Sequence, residues 1–427
     1  MSNKDIETPS FDEFSKSTGR NESEIYRFYD AKKKIIAAGI YTMESVRMTP
    51  PNPIVNVKRE TGEEFRVFNF ATYNYLGYAT HPKVIQAAKE ALDNYGLGCC
   101  NAPLGSGILP VHKLFEQKLV EFFCIPNCAV TLFPSGFAAL VGTITAYIRE
   151  GDCVIADSAA HASIIDGMLL SGGEVMFFKH NDMDNLAAIL QEVDDGNRRI
   201  LVCTEGCFSI SGTCGKVREI VRLAKRYGAK VLVDEAHSML ISGPNGRGVC
   251  EQEGVLEGVD MIVGTMSKSF SGIGGFLLAR QELTNYVSYF ARNRMFSCAL
   301  DPAVMGGMIA SLELAGGEDG TKKRQRIREN AMYLRSLLAD KVVVTTGNTW
   351  IIPVLFGKES IANQLSDFLQ KNGLVAPLMV FPAVRKNKGC IRLFVTSEHT
   401  REQMCEAADI IFKAAEYFGF LKNGEKC

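Results

Sequence analysis

The chain has 427 residues, of which 46% are apolar and 22% charged, with a formal net charge of −1. That is ordinary globular composition, too long for one small core, and without a basic run to suggest nucleic acid or an anionic membrane surface as partner. The start, Met1-Ser2-Asn3-Lys4-Asp5-Ile6-Glu7, is too polar and acidic for a signal peptide, and no apolar run approaches the roughly 18 residues of a transmembrane segment.

Residues 1 to 20 read as a loose polar arm. From Asn21 to Ala38 the spacing of Ile25, Phe28, Tyr29, Ile35 and Ile36 predicts an amphipathic helix that Gly39 ends. Pro50, Pro51 and Pro53 break the chain, and Ile54 to Lys58 and Phe65 to Phe70 alternate like a hairpin around Thr61-Gly62. Pro82 opens a helix that presents Val84, Ile85, Ala88 and Leu92 on one side before Gly96. Short apolar strands are expected at Ala129–Phe133, Cys153–Ala156, Val175–Phe178, Ile200–Cys203, Val231–Val233, Met261–Val263 and Phe276–Ala279. Because they do not alternate, both faces of their sheet should be covered, which means an α/β architecture. After Pro302 the chain turns helical, with strands around Trp350–Val354 and Cys390–Val395 and a last helix near Thr400, where Thr400 and Gln403 have capping-box spacing. The expected division is an arm, helix and hairpin over 1–70, a large domain over 71–300 and a small C-terminal α/β domain over 301–427.

Thirteen cysteines are scattered through apolar elements. Cys203 and Cys207, like Cys124 and Cys128, stand four apart, but neither pair has the glycine and histidine surroundings of a metal knuckle. Buried reduced thiols and no metal are expected, in a reducing compartment such as the cytoplasm.

The chemistry concentrates in two segments, Val233-Asp234-Glu235-Ala236-His237 and Gly264-Thr265-Met266-Ser267-Lys268-Ser269-Phe270. A phosphate-loop reading of Lys268 fails, because Ser267 stands where glycine is required. An amine among small hydroxyl residues, an acid closing a buried strand and a nearby phosphate site suit pyridoxal phosphate. A lysine forms a Schiff base with its aldehyde, and a buried anion keeps the ring nitrogen protonated. Read alone, Asp234 would be a helix cap and His237 or His161 a packed histidine. His161 follows the strand near Asp157 and could stack on a planar ring, and Ser209 lies past another strand end. Ser135-Gly136-Phe137 opens a helix whose N–H groups make a phosphate site, to which Thr265 can add a donor. Arg392, on a strand of the small domain, could hold a carboxylate at two points.

Together these segments resemble the α-oxoamine synthase family of fold-type-I pyridoxal-phosphate enzymes over about residues 65 to 415. The resemblance rests on Tyr73-Asn74-Tyr75-Leu76-Gly77, Gly105-Ser106-Gly107 to His112, Ser135-Gly136-Phe137, His161 to Gly167, His180-Asn181-Asp182, Thr204-Glu205-Gly206 to Ser209, Asp234 to Ser238, Gly246-Arg247-Gly248 and Gly264 to Lys268. It implies a mostly parallel central sheet with a smaller C-terminal α/β domain, and a homodimer with its active sites at the subunit interface. It also implies that Lys268 holds the cofactor and moves the substrate's α-proton, that Asp234 pairs with the ring nitrogen and that His161 stacks on the ring. Ser209 and His237 then bind the phenolic oxygen, and Ser135, Gly136, Phe137 and Thr265 surround the phosphate. Arg392 binds the amino-acid carboxylate, with Tyr73 near that substrate.

The implied reaction joins an amino acid to an acyl thioester with loss of thiol and carbon dioxide. Tyr73 to Gly77 and the N-terminal extension are most similar to the serine palmitoyltransferase branch, which implies L-serine and a long-chain acyl-CoA. Glycine or alanine, a shorter acyl group or a carrier-protein thioester are competing readings, as are an aminotransferase and a non-catalytic scaffold subunit. Scaffold subunits are expected to lack the lysine retained here. Three departures bear on the thioester and substrate: Ala102-Pro103 where family members commonly carry Arg, Thr213 in place of an acid, and Ser297-Cys298-Ala299 where a phosphate contact is expected from the partner subunit.

Overall fold

The structure is a computed structural model that describes Phe14 and residues 22–422; the expected loose arm otherwise lies outside the described residues. The chain forms two compact units. One comprises the chain up to Tyr75, Ile210–Gly212 and the chain from Arg326 onward; the other comprises Leu76–Ser209 and Thr213–Gln325.

The first unit opens with helix α1, Ser23–Ala37, which ends where Gly39 takes a left-handed φ of 69°. Strand β1, Val46–Arg47, pairs with β2, Ile54–Lys58, which forms the expected hairpin with β3, Glu64–Asn69. Gly62 makes the turn with φ 92°, and Val55, Val57 and Val67 form a small apolar cluster behind it.

The second unit begins with α2, Pro82–Tyr95, and α3, Pro110–Phe123. His112, expected at the end of a turn, lies inside α3, where Pro110 supplies the helix start. Seven strands follow: β4 Cys128–Phe133, β5 Cys153–Asp157, β6 Glu174–Phe178, β7 Ile200–Glu205, β8 Lys230–Asp234, β9 Met261–Thr265 and β10 Gly275–Arg280. Helices α4, Gly136–Tyr147, α5, Ala162–Ser171, α6, Met183–Val193, and α7, Val217–Arg226, connect the strands from β4 to β8. The sheet order is β4-β10-β9-β8-β7-β5-β6, parallel from β9 to β6, with β10 antiparallel to both neighbours. Every residue of β5, β7 and β9 is buried, as expected of strands covered on both faces. Their apolar side chains and those of α4 and α5 form the main core.

In the remainder of the first unit, β11, Ile351–Gly357, pairs with β14, Gly389–Phe394, which pairs in turn with β13, Leu378–Met379. Pro353 is tolerated because β11 lies at a sheet edge. Strand β12, Leu374–Val375, follows helix α8, Ala362–Lys371, and adds to β3 in parallel. The last helix, α9, Arg401–Phe418, carries the capping box: Thr400 Oγ1 accepts from Gln403 N at 3.3 Å, and Gln403 Oε1 from Thr400 N at 3.1 Å. Among the described residues no helix is long and apolar enough to cross a membrane.

Candidate active site

Parallel strands put their carboxyl ends on one edge, so Asp157 of β5, Glu205 of β7, Asp234 of β8 and Thr265 of β9 face the same side. Register through β10 brings β4 to that edge as well, with Gly275 opposite both Phe133 and Thr265. From β5 the chain winds to β6 on one side, and from β6 it crosses back to β7 on the other side of β5. The β5–β7 gap is therefore the switch point at which open α/β sheets bind ligands.

There the backbone N–H of His161 donates to Glu205 Oε1 at 2.7 Å. His161 caps α5, its Nδ1 lies 2.7 Å from Ser163 Oγ, and its ring is exposed. The exposed Phe137 ring meets it edge-on at 6.4 Å.

Asp234 is buried, and its Oδ1 accepts the Ala236 N–H at 2.9 Å. Burial pushes its carboxyl up, against the charge of Lys268, the Ala236 N–H and His161. Glu205 is pushed up further, first by burial and then by the charge of Asp234, with Lys268 again opposing. The Lys268 charge therefore acts on both buried acids. The neighbouring Glu235 points away into structure: it accepts from Val249 N at 3.0 Å and Cys250 N at 2.8 Å, and from the Ser238 hydroxyl. These bonds fix the turn that carries the buried His237.

Lys268 is half-buried in the loop between β9 and β10. Hydrogen bonds from Met266 N to Gly274 O at 2.9 Å, Gly272 N to Met266 O at 2.8 Å and Ser271 N to Lys268 O at 2.8 Å close this loop. Thr265 Oγ1 lies 2.8 Å from Ser267 Oγ. At the start of α4, Ser135 Oγ accepts the Ala138 N–H at 3.0 Å. A Cβ built on Gly136 would stand 2.7 Å from Thr265 Cβ and 2.8 Å from its Oγ1. Only glycine lets the helix N-terminus come this close to the Thr265 hydroxyl.

Ser209 is half-buried on a loop whose two sides are joined by a Phe208 N to Thr213 O bond of 2.9 Å and a Cys207–Cys214 bridge pairing. His180 anchors this loop, with Nδ1 at 3.0 and 3.1 Å from the two Asp157 oxygens and Nε2 at 2.9 Å from Thr213 Oγ1. The hydroxyl that replaces an acid thus accepts or donates at a histidine tied to a buried carboxylate. The other two departures adjoin one another: Ala299 N donates to Asn101 O at 3.0 Å, beside Ala102.

Nine of the eleven expected site residues, Ser135, Gly136, Phe137, His161, Ser209, Asp234, His237, Thr265 and Lys268, belong to the second unit; Tyr73 and Arg392 belong to the first. Within that unit Arg392 is buried on β14, its Nη2 donates to Tyr73 Oη at 3.3 Å, and its guanidinium lies 4.7 Å from the Phe394 ring. Sequence reasoning gave no role to Glu205 or Asp157; both close strands of the parallel set, which is the signal that finds them.

The second unit fits pyridoxal phosphate. The Gly136–Thr265 approach offers a phosphate the N–H groups of a 12-residue helix and the Ser135, Thr265 and Ser267 hydroxyls. Asp234 offers a buried carboxyl to a ring cation, and Lys268 an amine within electrostatic reach of it. Among the described residues no group of three or more His, Cys, Asp or Glu side chains could hold a metal ion, and twelve cysteines are free thiols.

Comparison with known proteins agrees. Residues 66–411 match the family model for class I and II aminotransferases. The chain is 36% identical over 357 residues to the 8-amino-7-oxononanoate synthase of Alkaliphilus metalliredigens, covering 83% of this chain and 89% of that one. It is 35% identical over 387 residues to the enzyme of the same name from Thermoanaerobacter pseudethanolicus, covering 90% and 95%. Among solved structures, the serine palmitoyltransferase of Sphingomonas wittichii has a TM-score of 0.87 at 29% identity, covering 94% of this chain and 99% of that one. The 8-amino-7-oxononanoate synthase of Francisella tularensis gives 0.70 at 25%, covering 82% and 98%. The chain therefore belongs to the α-oxoamine synthase family of the class I and II aminotransferases, enzymes with an α/β fold of type I that depend on pyridoxal phosphate.

Proposed function

We propose that this chain condenses a small neutral amino acid, with L-serine as the first candidate, with an acyl thioester, first a long-chain acyl-CoA, releasing carbon dioxide and free thiol to leave a β-keto amine. The observation that carries the reading is the sheet edge that gathers the buried Glu205 and Asp234, the half-buried Lys268 and the close approach of Gly136 to Thr265. Bound pyridoxal phosphate supplies an aldehyde for the amines and a ring that accepts the electrons of the broken α C–H bond. Lys268 Nζ holds the cofactor and takes and returns the α-proton. Asp234 keeps the ring nitrogen protonated, His161 covers one face of the ring, and Ser209 and His237 hydrogen-bond its oxygen. Ser135, Gly136, Phe137 and Thr265 hold the phosphate. Arg392 binds the substrate carboxylate at two points, oriented by Tyr73.

Serine is supported by likeness of shape, since two serine palmitoyltransferase structures cover 93% and 94% of this chain at a TM-score of 0.87. A second reading, with alanine or glycine and a shorter acyl group, is favoured by the higher sequence identity to the 8-amino-7-oxononanoate synthases. The test is a panel of serine, alanine and glycine against acyl thioesters, following thiol and carbon dioxide. Release of both with one amino acid fixes the substrate; amino-group exchange with a keto acid and no thiol release would overturn the condensation. Substitution of Lys268 by alanine should end covalent retention of the cofactor after borohydride treatment and lower turnover at least about 100-fold.

We further propose a cytoplasmic homodimer. The free thiols support the compartment, and the exposed Leu97 and Phe296 of the second unit, 80% and 75% accessible, support a face covered by a second copy. Light scattering that gives the mass of one chain would exclude the dimer.

A further inference from the structure

The first unit holds a cleft of about 330 Å³ between α1 and α8, at the lower end of the about 300–1,000 Å³ usual for small-molecule sites. Ala31 and Ile35 of α1, Met43, Leu369 of α8, Val375 and Leu378 give it an apolar lining. The positions on each helix follow the three-to-four-residue spacing of one face. Its polar wall groups are paired with one another or with groups outside the wall: Lys32 Nζ and Tyr41 Oη donate to Glu44 Oε2 at 2.6 and 2.7 Å. Thr42 Oγ1 lies 2.6 Å from Ser366 Oγ, and Gln370 Oε1 accepts from Arg59 Nε at 2.5 Å. The interior therefore asks for an apolar guest with no hydrogen-bonding groups of its own, not for ordered water.

Residues of the wall are backbone neighbours of the candidate carboxylate site. Ala71, which lines the cavity, stands two residues before Tyr73. Pro377, also a lining residue, accepts the backbone N–H of Arg392 at 2.8 Å, and Leu378 pairs with Ile391 on the Arg392 strand. A carbon–carbon bond formed at the substrate's α-carbon forms one bond away from the carboxylate that Arg392 is proposed to hold. The acyl carbonyl must reach that carbon, so the rest of the acyl chain must be stored nearby.

We propose that this cavity receives the unbranched alkyl chain of the acyl group and sets the acyl length the enzyme accepts. The proposal rests on the condensation reading and adds to it a place for the chain. Ala31 and Ser366 are the gauges of its depth, because each lines the cavity and neither belongs to the proposed reacting set.

The holoenzyme is titrated with saturated fatty acids from butanoate to tetradecanoate, displacing a fluorescent fatty acid, and is assayed with acyl-CoA thioesters of the same lengths. Affinity should rise about fourfold per methylene, the equivalent of about 0.8 kcal/mol, and level off at the length that fills the cavity. Ala31→Trp and Ser366→Trp should each move that plateau to shorter chains, weakening the longest acids about tenfold or more while leaving butanoate and the acetyl thioester unaffected. Melting temperatures show which variants are folded. An unshifted plateau in both folded variants, or no displacement by any fatty acid, overturns the proposal even if condensation proceeds. Length-dependent binding that both variants shorten, without condensation of any thioester, would sustain the cavity and overturn the condensation reading alone.

Discussion

The backbone N–H of His161 donates to the side chain of Glu205 across 2.7 Å, joining the segment after β5 to the last residue of β7. Glu205 is buried, and its carboxyl is held well above the usual range by burial and by Asp234. The bond needs only an acceptor, so the charge of Glu205 is dispensable while its oxygen is not. Glu205→Gln should bind pyridoxal phosphate within about threefold of the parent. Glu205→Ala leaves a backbone donor facing a buried space, a cost of about 1–3 kcal/mol. It should weaken the cofactor about tenfold or more in an absorbance titration. Equal damage from Gln and Ala would show that the charge, not the acceptor, matters.

Gly136→Ala tests the phosphate end of the same sheet edge. The added methyl carbon would stand 2.7 Å from Thr265 Cβ, closer than packed carbons come, and α4 or β9 would have to move. Overpacking of this kind costs about 1–3 kcal/mol. The displaced element carries hydroxyls proposed for the phosphate, so the variant should lose affinity for pyridoxal phosphate more than for pyridoxal. The two-ligand comparison separates a phosphate defect from general loosening, which would weaken both equally.

The sheet and its edge were legible because parallel buried strands announce themselves as short unbroken apolar runs, and the residues after them are where ligands bind. Asp234, Thr265 and Lys268 were found this way. What stayed hidden was tertiary. Strand β10 is as apolar as its neighbours, and nothing in Phe276–Ala279 says that it runs antiparallel. Helix α3 was obscured because the glycines before Pro110 read as a turn that continued to His112. The role of Glu235 was masked by Asp234 beside it: one acid faces the site and the other satisfies Val249 and Cys250 N–H groups that come from 14 and 15 residues further on. Strand β12 has two residues, too few to give a period, and exists because β3 offers a free edge to it.

Thr213 offers a third test. It stands 2.9 Å from His180 Nε2, while the other face of that imidazole is tied to Asp157. Thr213→Val keeps the shape and removes the hydroxyl, leaving His180 one partner fewer. The loop carrying Ser209 should loosen, seen as faster amide exchange at Phe208 and Ser209, with a cofactor affinity lower by about 0.5–1.5 kcal/mol. Thr213→Asp should restore the contact, since a carboxylate can accept from Nε2. Unchanged exchange at Ser209 in Thr213→Val would remove His180 as the anchor of this loop.

His399 makes folding stability depend on pH in a way that can be assigned to one residue. Its ring is fully buried, stacked on Phe70 at 4.1 Å and 4°, with the Thr396 N–H donating to Nδ1 at 3.0 Å and Nε2 facing Asn69 O at 3.2 Å. The proton of the neutral ring thus sits on Nε2, and a second proton on Nδ1 would face a donor. Burial pushes the pKa down from 6.5 to about 4, against the Asn69 carbonyl and Glu398. Between these values the unfolded chain binds a proton that the folded chain refuses, so stability rises with pH across this window. The contribution is complete above pH 6.5 and lost as pH falls to 4, up to about 3 kcal/mol. Urea unfolding of the parent and of His399→Gln, compared pH by pH, should show that slope in their difference, since the raised carboxyls of Glu205 and Asp234 act with the opposite sign in both. The variant should be less stable at pH 7, having lost the stacking, but should lack the His399 part of the slope between pH 6.5 and 4. An unchanged slope in the variant would assign the acid sensitivity to other groups.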